Sequence, residues 1–199
     1  MRSIGTGSNL RGADHGGCRW IAPGEVDRVD VGRPTYGEGV DRIESIVQRL
    51  ERLESIDAIR DLVARYCWGA DHRDVAAWDS VWAPGAVWKV GPARSFVGGD
   101  EIRGAVERQW AAFPQMLHAT ANHRVEIDGD RASGVADVTV MTRLGEDFGQ
   151  HAGCWVSGGG LYRDEYVRTE GTWYLGKREV TGDFLHGPAP AFEPTRSRT

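Results

Sequence analysis

The sequence contains few cysteines, no long apolar run and no excess of positive charge. Among its 199 residues are three cysteines, Cys18, Cys67 and Cys154, and 24 basic residues against 29 acidic ones. Three widely separated cysteines argue against a disulfide framework and favour a reducing, cytoplasmic compartment. A net charge of -5 argues against nucleic acid as a partner and, more weakly, against an anionic membrane surface. Because apolar runs span only a few residues, we expect no membrane-spanning helix, and the N-terminus lacks the apolar core of a secretory signal.

Several signatures of catalytic sites are also missing. No CxxC, HExxH or carboxylate cluster has the spacing of metal ligands, and no Gly-x-Ser-x-Gly elbow occurs. His118 and His123 are five residues apart in a predicted strand, so alternation places them on opposite faces, where they cannot bind one ion. The sequence therefore predicts no metal site.

Composition divides the chain into three segments. Residues 1–39 include nine glycines and no sustained apolar period, which indicates a flexible extension or a segment upstream of the native translation start. Three prolines after Gly187 predict a C-terminal tail over residues 186–199. The folded domain is therefore expected over residues 40–185.

Periodicity predicts helices first and long strands later. Apolar residues three or four apart indicate a helix from Val40 towards Gly69, in which Asp57 marks a kink or caps a second helix. Asp74 is a candidate cap for a short helix, and a further helix is expected over 101–113. Strands are predicted over residues 86–90, 95–97, 117–127, 131–143, 149–169 and 172–180, with a bulge or bend at the glycine triplet 158–160.

This order of elements is typical of an α+β fold. A long curved antiparallel sheet around the helices would form a cone with one open mouth, which suits a small apolar ligand.

A set of segments in the predicted domain follows a recognisable order along the chain. They are Ile59–Tyr66, Ala70-Asp71, Trp78, Ala86–Trp88, Phe96–Gly98, Leu117–Asn122 and Tyr166–Arg178. In these segments the chain resembles the NTF2-like (SnoaL-like) superfamily across residues 45–185. Within it, the chain is most similar to the branch that holds scytalone dehydratase, bile-acid dehydratase and hexachlorocyclohexane dehydrochlorinase. The resemblance implies the NTF2-like, or cystatin-like, cone and a cofactor-independent lyase built around a His-Asp dyad.

The resemblance assigns the dyad to His118 and Asp71. A neutral imidazole accepts a proton near physiological pH, and a carboxylate bonded to it fixes its tautomer. His118 precedes Thr120 and Asn122, which period two places on the same face. From the residues alone, a structural histidine of the sheet is the better explanation of His118, and a helix-end or N-cap residue is the better explanation of Asp71.

Tyr66 and Arg178 complete the implied catalytic set. Tyr66 lies roughly 140° from Asp71 on an ideal helix, so both face one cavity only if it wraps around the helix end. Bile-acid dehydratase resembles this chain in having Tyr at that position, where the dehydrochlorinase has Lys, which favours an oxygen leaving group over chloride. Arg178 could bind a leaving anion or an oxyanion, or pair with a surface carboxylate. Alternation places it opposite Trp173 and Leu175.

The sequence has eight tryptophans, an unusual supply of large flat side chains. Core packing explains any one of them, but together they suggest a cavity for a flat hydrophobic ligand. The candidate pocket residues are Trp68, Trp88, Trp110, Asn122 and Trp155.

The expected activity is a dehydratase-like elimination from a small hydrophobic, cyclic substrate. A polyketide cyclase or ketosteroid-isomerase-like enzyme would use the same dyad, and a binding module would hold a ligand without chemistry. The resemblance also implies a homo-oligomer, a trimer or dimer, and the apolar stripe from Ile43 to Leu53 could serve such an interface.

Overall fold

The structure, a computed structural model, describes residues 36–186, and the side chains of residues 39–182. The chain falls into two units, residues 1–41 and 42–199. The first helix begins in the first unit, at Tyr36, and the remaining described elements belong to the second unit. The predictions of an N-terminal extension and a C-terminal tail fall largely on residues outside the described ones.

The described elements alternate between helix and strand before ending in four long strands, as expected for an α+β fold. They are α1 (Tyr36–His72), α2 (Val75–Ser80), β1 (Trp82–Val90), β2 (Arg94–Val97), α3 (Gly99–Ala112), β3 (Gln115–Asp128), β4 (Arg131–Arg143), a 3₁₀ helix (Glu146–His151), β5 (Trp155–Thr169) and β6 (Thr172–His186).

Helix α1 is one continuous helix, so the predicted break at Asp57 and stop at Gly69 are wrong. Asp57 is exposed, and Ile59 and Leu62 continue a buried face beyond it. Gly69 serves packing instead of ending the helix. A Cβ at Gly69 would lie 2.7 Å from the backbone nitrogen of Trp78, so glycine lets α2 approach α1 closely. The predicted cap of α2 is confirmed, because Asp74 accepts a hydrogen bond from the Ala77 backbone N–H at 3.0 Å.

Six strands form one sheet in the order β2-β1-β6-β5-β4-β3. β1 and β6 are parallel, and the other neighbours are antiparallel. The core joins residues of α1, α2 and α3 to residues of the sheet. Its largest fully buried side chains include Ile59, Leu62, Trp78, Ile102, Tyr162 and Tyr166.

Three register shifts interrupt the antiparallel pairs. One lies between Gly159 and Gly160, where the glycine triplet predicts a bulge. A second makes Gly176 the extra residue of β6, because Leu175 pairs with Tyr166 and Lys177 with Glu165. This bulge returns Arg178 to the buried face of Trp173 and Leu175, so the predicted opposite placement is wrong.

The third shift lies in β3, where Asn122 and His123 together oppose the single residue Ala136 of β4. Asn122 adopts a positive φ of 53°, a conformation that asparagine tolerates better than most residues. The extra residue puts His123 on the same face as His118, so their predicted placement on opposite faces is also wrong. A further correction concerns residues 149–154, predicted as strand, which belong to the 3₁₀ helix and the turn after it.

Candidate active site

A cavity of about 210 Å³ lies between the helices and the sheet. It draws residues from α1, α3 and five strands, so no single segment of the sequence defines it. Its surface is mainly apolar. The apolar wall includes Trp88, Phe113, Met116, Val140, Val156 and Val180, and the polar groups come from Tyr66, Gln109, His118, Thr142 and Tyr162.

His118 and Asp71 meet at this cavity, as the resemblance implies. The Nδ1 atom of His118 lies 2.5 Å from Oδ1 of Asp71, and the His118 backbone N–H donates to Oδ2 at 2.8 Å. Both side chains are largely buried, at 9% and 6% exposure. A carboxylate accepts hydrogen bonds, so Nδ1 carries the proton and Nε2 is the nitrogen with a free lone pair.

Arg73 holds the end of α1 against the start of β3. Its Nη2 donates to the carbonyl oxygens of Trp110, Phe113 and Pro114, at 2.8, 3.3 and 3.2 Å. These carbonyls lie at the C-terminal end of α3 and just after it, where a cation is favourable. The contacts fix the segment that carries Asp71 relative to the strand that carries His118. Sequence reasoning did not single out Arg73.

Tyr66 lies on the cavity wall at the centre of an aromatic cluster. Its ring centroid is 6.4 Å from that of His118 and 5.7 Å from that of Tyr162, both in edge-to-face geometry. Burial raises the pKa of Tyr66 well above its ordinary value, and the nearby charge of Arg178 offsets this only in part. Tyr66 therefore keeps its proton at neutral pH and can donate a hydrogen bond.

Arg178 is fully buried behind the cavity wall. Its guanidinium carbon lies 4.1 Å from the ring centroid of Tyr66 and 4.0 Å from that of Tyr162. Both of these rings line the cavity, whereas Arg178 does not. Two hydrogen bonds join it to Asp164, from Nε to Oδ1 at 2.8 Å and from Nη2 to Oδ2 at 2.7 Å. Burial alone would lower the pKa of Arg178, but the carboxylate of Asp164 outweighs that effect and the pKa lies well above its usual range.

A hydrogen-bonded chain that sequence reasoning missed continues from this pair. Tyr166 donates to Asp164 Oδ2 at 2.7 Å, and its oxygen lies 3.2 Å from Nε2 of His123. Burial lowers the pKa of His123. The negative charge of Asp164 raises this pKa in part, and the positive charges of Arg178 and Arg60 lower it further. The sequence signal for this chain is Asp164-x-Tyr166 together with Arg178. The pairing of Asp164 with Arg178 can be predicted only when the bulge at Gly176 is known.

The predicted pocket residues divide into one that lines the cavity and four that do not. Trp88 is part of the wall. Trp110 is buried but does not line the cavity, and its Nε1–H donates to the carbonyl of Ala70 at 2.7 Å. Trp68 and Trp155 are about half exposed, and Trp68 stacks on His72 instead.

Asn122 is the fourth pocket residue that the structure places elsewhere. The bulge in β3 turns it outwards, and its Nδ2 donates to Asp137 at 2.6 Å. The same bulge brings His118 and His123 to one face. Even so, the described residues contain no group of three or more His, Cys, Asp or Glu side chains that could hold a metal ion.

A larger cavity, of about 550 Å³, lies along β3, β4, β5 and β6. It is lined by charged residues such as Glu126, Asp128 and Arg131 and contains neither member of the dyad. The larger cavity therefore lacks the residues of the candidate site. No helix within residues 36–186 is long and apolar enough to cross a membrane.

Fold and sequence comparisons agree on the class of protein. The α+β arrangement is shared with NTF2-like and cystatin-like structures. Residues 51–179 match the family model of the SnoaL-like domain, and the chain therefore belongs to the SnoaL-like family.

Among its relatives is the gamma-hexachlorocyclohexane dehydrochlorinase of Sphingobium indicum, which is 27% identical over 141 residues, 68% of this chain and 85% of that protein. The type 3 hexachlorocyclohexane dehydrochlorinase of Novosphingobium barchaimii superposes with a TM-score of 0.64 at 26% identity, covering 73% of this chain and 99% of that one. A scytalone dehydratase-like protein of Novosphingobium aromaticivorans gives a TM-score of 0.61 at 17% identity, with coverages of 68% and 88%, and shares the fold.

Proposed function

We propose that this protein is a cofactor-independent lyase that eliminates a leaving group from a small hydrophobic, cyclic substrate. The observation that carries this proposal is the contact between His118 and Asp71 at the wall of a mainly apolar cavity. Membership of the SnoaL-like family and the dehydrochlorinase relatives support an elimination as the reaction type.

His118 acts as the base in this proposal. Its Nε2 takes a proton from a carbon next to a carbonyl or another electron-withdrawing group. The electrons of that C–H bond form the new C=C bond, and the leaving group departs with the electrons of its own bond to carbon. Asp71 orients the ring through Nδ1 and stabilises the imidazolium that forms.

Tyr66 acts as the neutral hydrogen-bond donor. A phenol that keeps its proton can donate to an enolate oxygen or to a departing hydroxyl. It offers no fixed positive charge to a chloride ion. We therefore propose a carbon-oxygen bond as the one that breaks.

Arg178 is a positioning residue rather than a catalytic one. It contacts the rings of Tyr66 and Tyr162 from behind, and its positive charge favours build-up of negative charge on the tyrosine hydroxyls. Its pairing with Asp164 keeps the side chain in one place, so the tyrosines keep their position in the cavity wall.

The base and the elimination can be tested separately. Hydroxylated polycyclic ketones in D2O should exchange the hydrogen next to the carbonyl for deuterium in an enzyme-dependent reaction followed by NMR. Mass spectrometry of the products should show loss of water. His118→Ala should abolish both signals while the ligand still binds, and His72→Ala, an exposed histidine outside the cavity, should keep them.

The outcomes identify the alternatives. Exchange or isomerisation without loss of water would assign an isomerase or cyclase that uses the same base. Full exchange in His118→Ala would contradict the proposed base, and binding with neither exchange nor turnover would favour a binding module. Chlorinated cyclohexanes belong in the panel because chloride release would contradict the preference for an oxygen leaving group.

A further inference from the structure

Helix α1 carries two apolar faces that point in opposite directions. Its second half buries Ile59, Leu62 and Tyr66 in the core. Its first half carries a separate apolar stripe, defined here as Ile43, Ile46, Val47, Leu50 and Leu53. Leu50 and Ile59 are nine residues apart, about two and a half turns at roughly 100° per residue, so their side chains leave the helix on opposite sides.

The core does not cover this stripe. Its five side chains are between 46% and 63% exposed, whereas Ile59 and Leu62 are at 0%. Five large aliphatic residues along about three turns of helix form a continuous surface rather than scattered exposures. A surface of this kind on one helix is typical of helix-helix association.

Charged residues flank the stripe with a different sign on each side. At about 100° per residue, Glu44 and Glu51 lie along one edge of the stripe, and Arg42 and Arg49 lie along the other. Glu51 also borders a groove against the β5–β6 turn, so its edge is the one that faces the turn. Arg52 lies on the far side of the helix, away from the stripe.

This arrangement is complementary to itself in only one orientation. When two such helices pack side by side in parallel, the acidic edge of each meets the basic edge of the other. In the antiparallel orientation, glutamates would face glutamates and arginines would face arginines, which is unfavourable.

We propose that the stripe is the interface to a second copy of this chain, with the two α1 helices packed in parallel. An axis of symmetry along the helices generates this pairing, and it places equivalent residues at equal heights. The cavity and the dyad lie at the other end of α1, so the assembly leaves them outside the helix contact.

The first test is the mass of the full chain in solution. Sedimentation or light scattering should give a multiple of the 21.9 kDa chain mass for the wild type. Leu50→Glu, at the centre of the stripe, should reduce it to the mass of one chain. Arg52→Glu introduces the same acidic residue on the far side of the helix and should leave the assembly intact. Circular dichroism checks that both variants keep their fold.

The second test concerns direction. Reversing one edge, with Glu44→Arg and Glu51→Arg or with Arg42→Glu and Arg49→Glu, should weaken self-association, and mixing the two double variants should restore it. Added salt should weaken association of the wild type. Stronger association at high salt, or no effect of either reversal, would contradict the parallel pairing.

Two other results would overturn the proposal. An assembly that survives Leu50→Glu would be built on another surface. A wild type that is monomeric at high concentration, with slow amide hydrogen exchange along the stripe, would mean that residues 1–35 of the same chain cover it.

Discussion

The Asp71 carboxylate contacts His118 at two points, the imidazole ring and the backbone N–H. Oδ1 lies 2.5 Å from Nδ1, and Oδ2 accepts from the backbone N–H at 2.8 Å. The first contact limits rotation of the imidazole about its bond to the chain. The second contact ties the strand itself to the end of α1, so the ring and its backbone move together.

Replacement of Asp71 by Asn should preserve binding but slow the reaction. An amide can still accept one hydrogen bond, but it does not stabilise an imidazolium. We expect kcat to fall by about 10²–10⁴-fold with little change in KM, measured on any substrate found by the deuterium-exchange screen. Asp57→Asn, on an exposed position of the same helix, should match the wild type. An unchanged kcat in Asp71→Asn would remove the dyad from the mechanism.

Loss of Arg178 should destabilise the whole fold. Arg178→Met leaves the Asp164 carboxylate buried without its cation, and we expect the free energy of unfolding to fall by about 3–5 kcal/mol. The neighbouring exposed pair offers a control, since Lys177→Met removes a partner of Glu165 and should cost no more than about 1 kcal/mol. Urea titrations of the two variants make the comparison, and equal losses would show that burial does not determine the effect.

The stability of the fold should decrease at acidic pH because of His123. Its pKa in the folded protein lies below the ordinary value of 6.5, so the unfolded chain binds the proton first as the pH falls. The stabilisation from neutral His123 is fully present above about pH 6.5, and it is lost as the pH falls through the lower pKa that His123 has in the folded protein. NMR titration of the His123 ring should show a midpoint below 6.5, and His123→Gln should flatten the pH dependence of unfolding. A midpoint at or above 6.5 would contradict the burial argument.

Gly160 should not tolerate a side chain, although its partner should. A Cβ on Gly160 would overlap the carbonyl oxygen of Thr181 across the bulge, whereas nothing lies near a Cβ on Gly182. We expect Gly160→Ala to cost about 1–3 kcal/mol or more in free energy of unfolding and Gly182→Ala to cost far less. Thermal unfolding of the two variants, measured side by side, checks the difference. Similar melting temperatures would mean that the bulge relaxes freely.

The order of elements could be predicted from strong local signals, whereas the meeting of His118 with Asp71 could not. Apolar residues three or four apart mark α1, and alternation marks the strands. The contact itself came from the family resemblance rather than from spacing, since 47 residues separate the two.

Strand faces beyond a bulge could not be predicted in this way. One extra residue reverses the side on which every later side chain lies. The residues around Asn122 and Gly176 give no sequence signal for a bulge at either position. Arg178 and His123 were therefore assigned to the wrong faces. The roles of the tryptophans could not be predicted for a different reason. An indole can pack into a core, stack on a neighbour or line a cavity with the same local sequence pattern. Trp110, Trp68 and Trp88 take these three roles in turn.

The three indoles around Tyr66 have an optical consequence. The ring centroids of Trp78, Trp82 and Trp88 lie 5.3 to 6.1 Å apart at inclined angles, and their N–H groups have no hydrogen-bond partner among the described residues. Chromophores this close exchange excitation energy, and unbonded indoles in apolar surroundings emit at short wavelength. Since Trp88 is also part of the cavity wall, a molecule that enters the cavity perturbs the whole set. A molecule that entered the cavity would therefore change the fluorescence and the circular dichroism of the protein, even when no bond is broken.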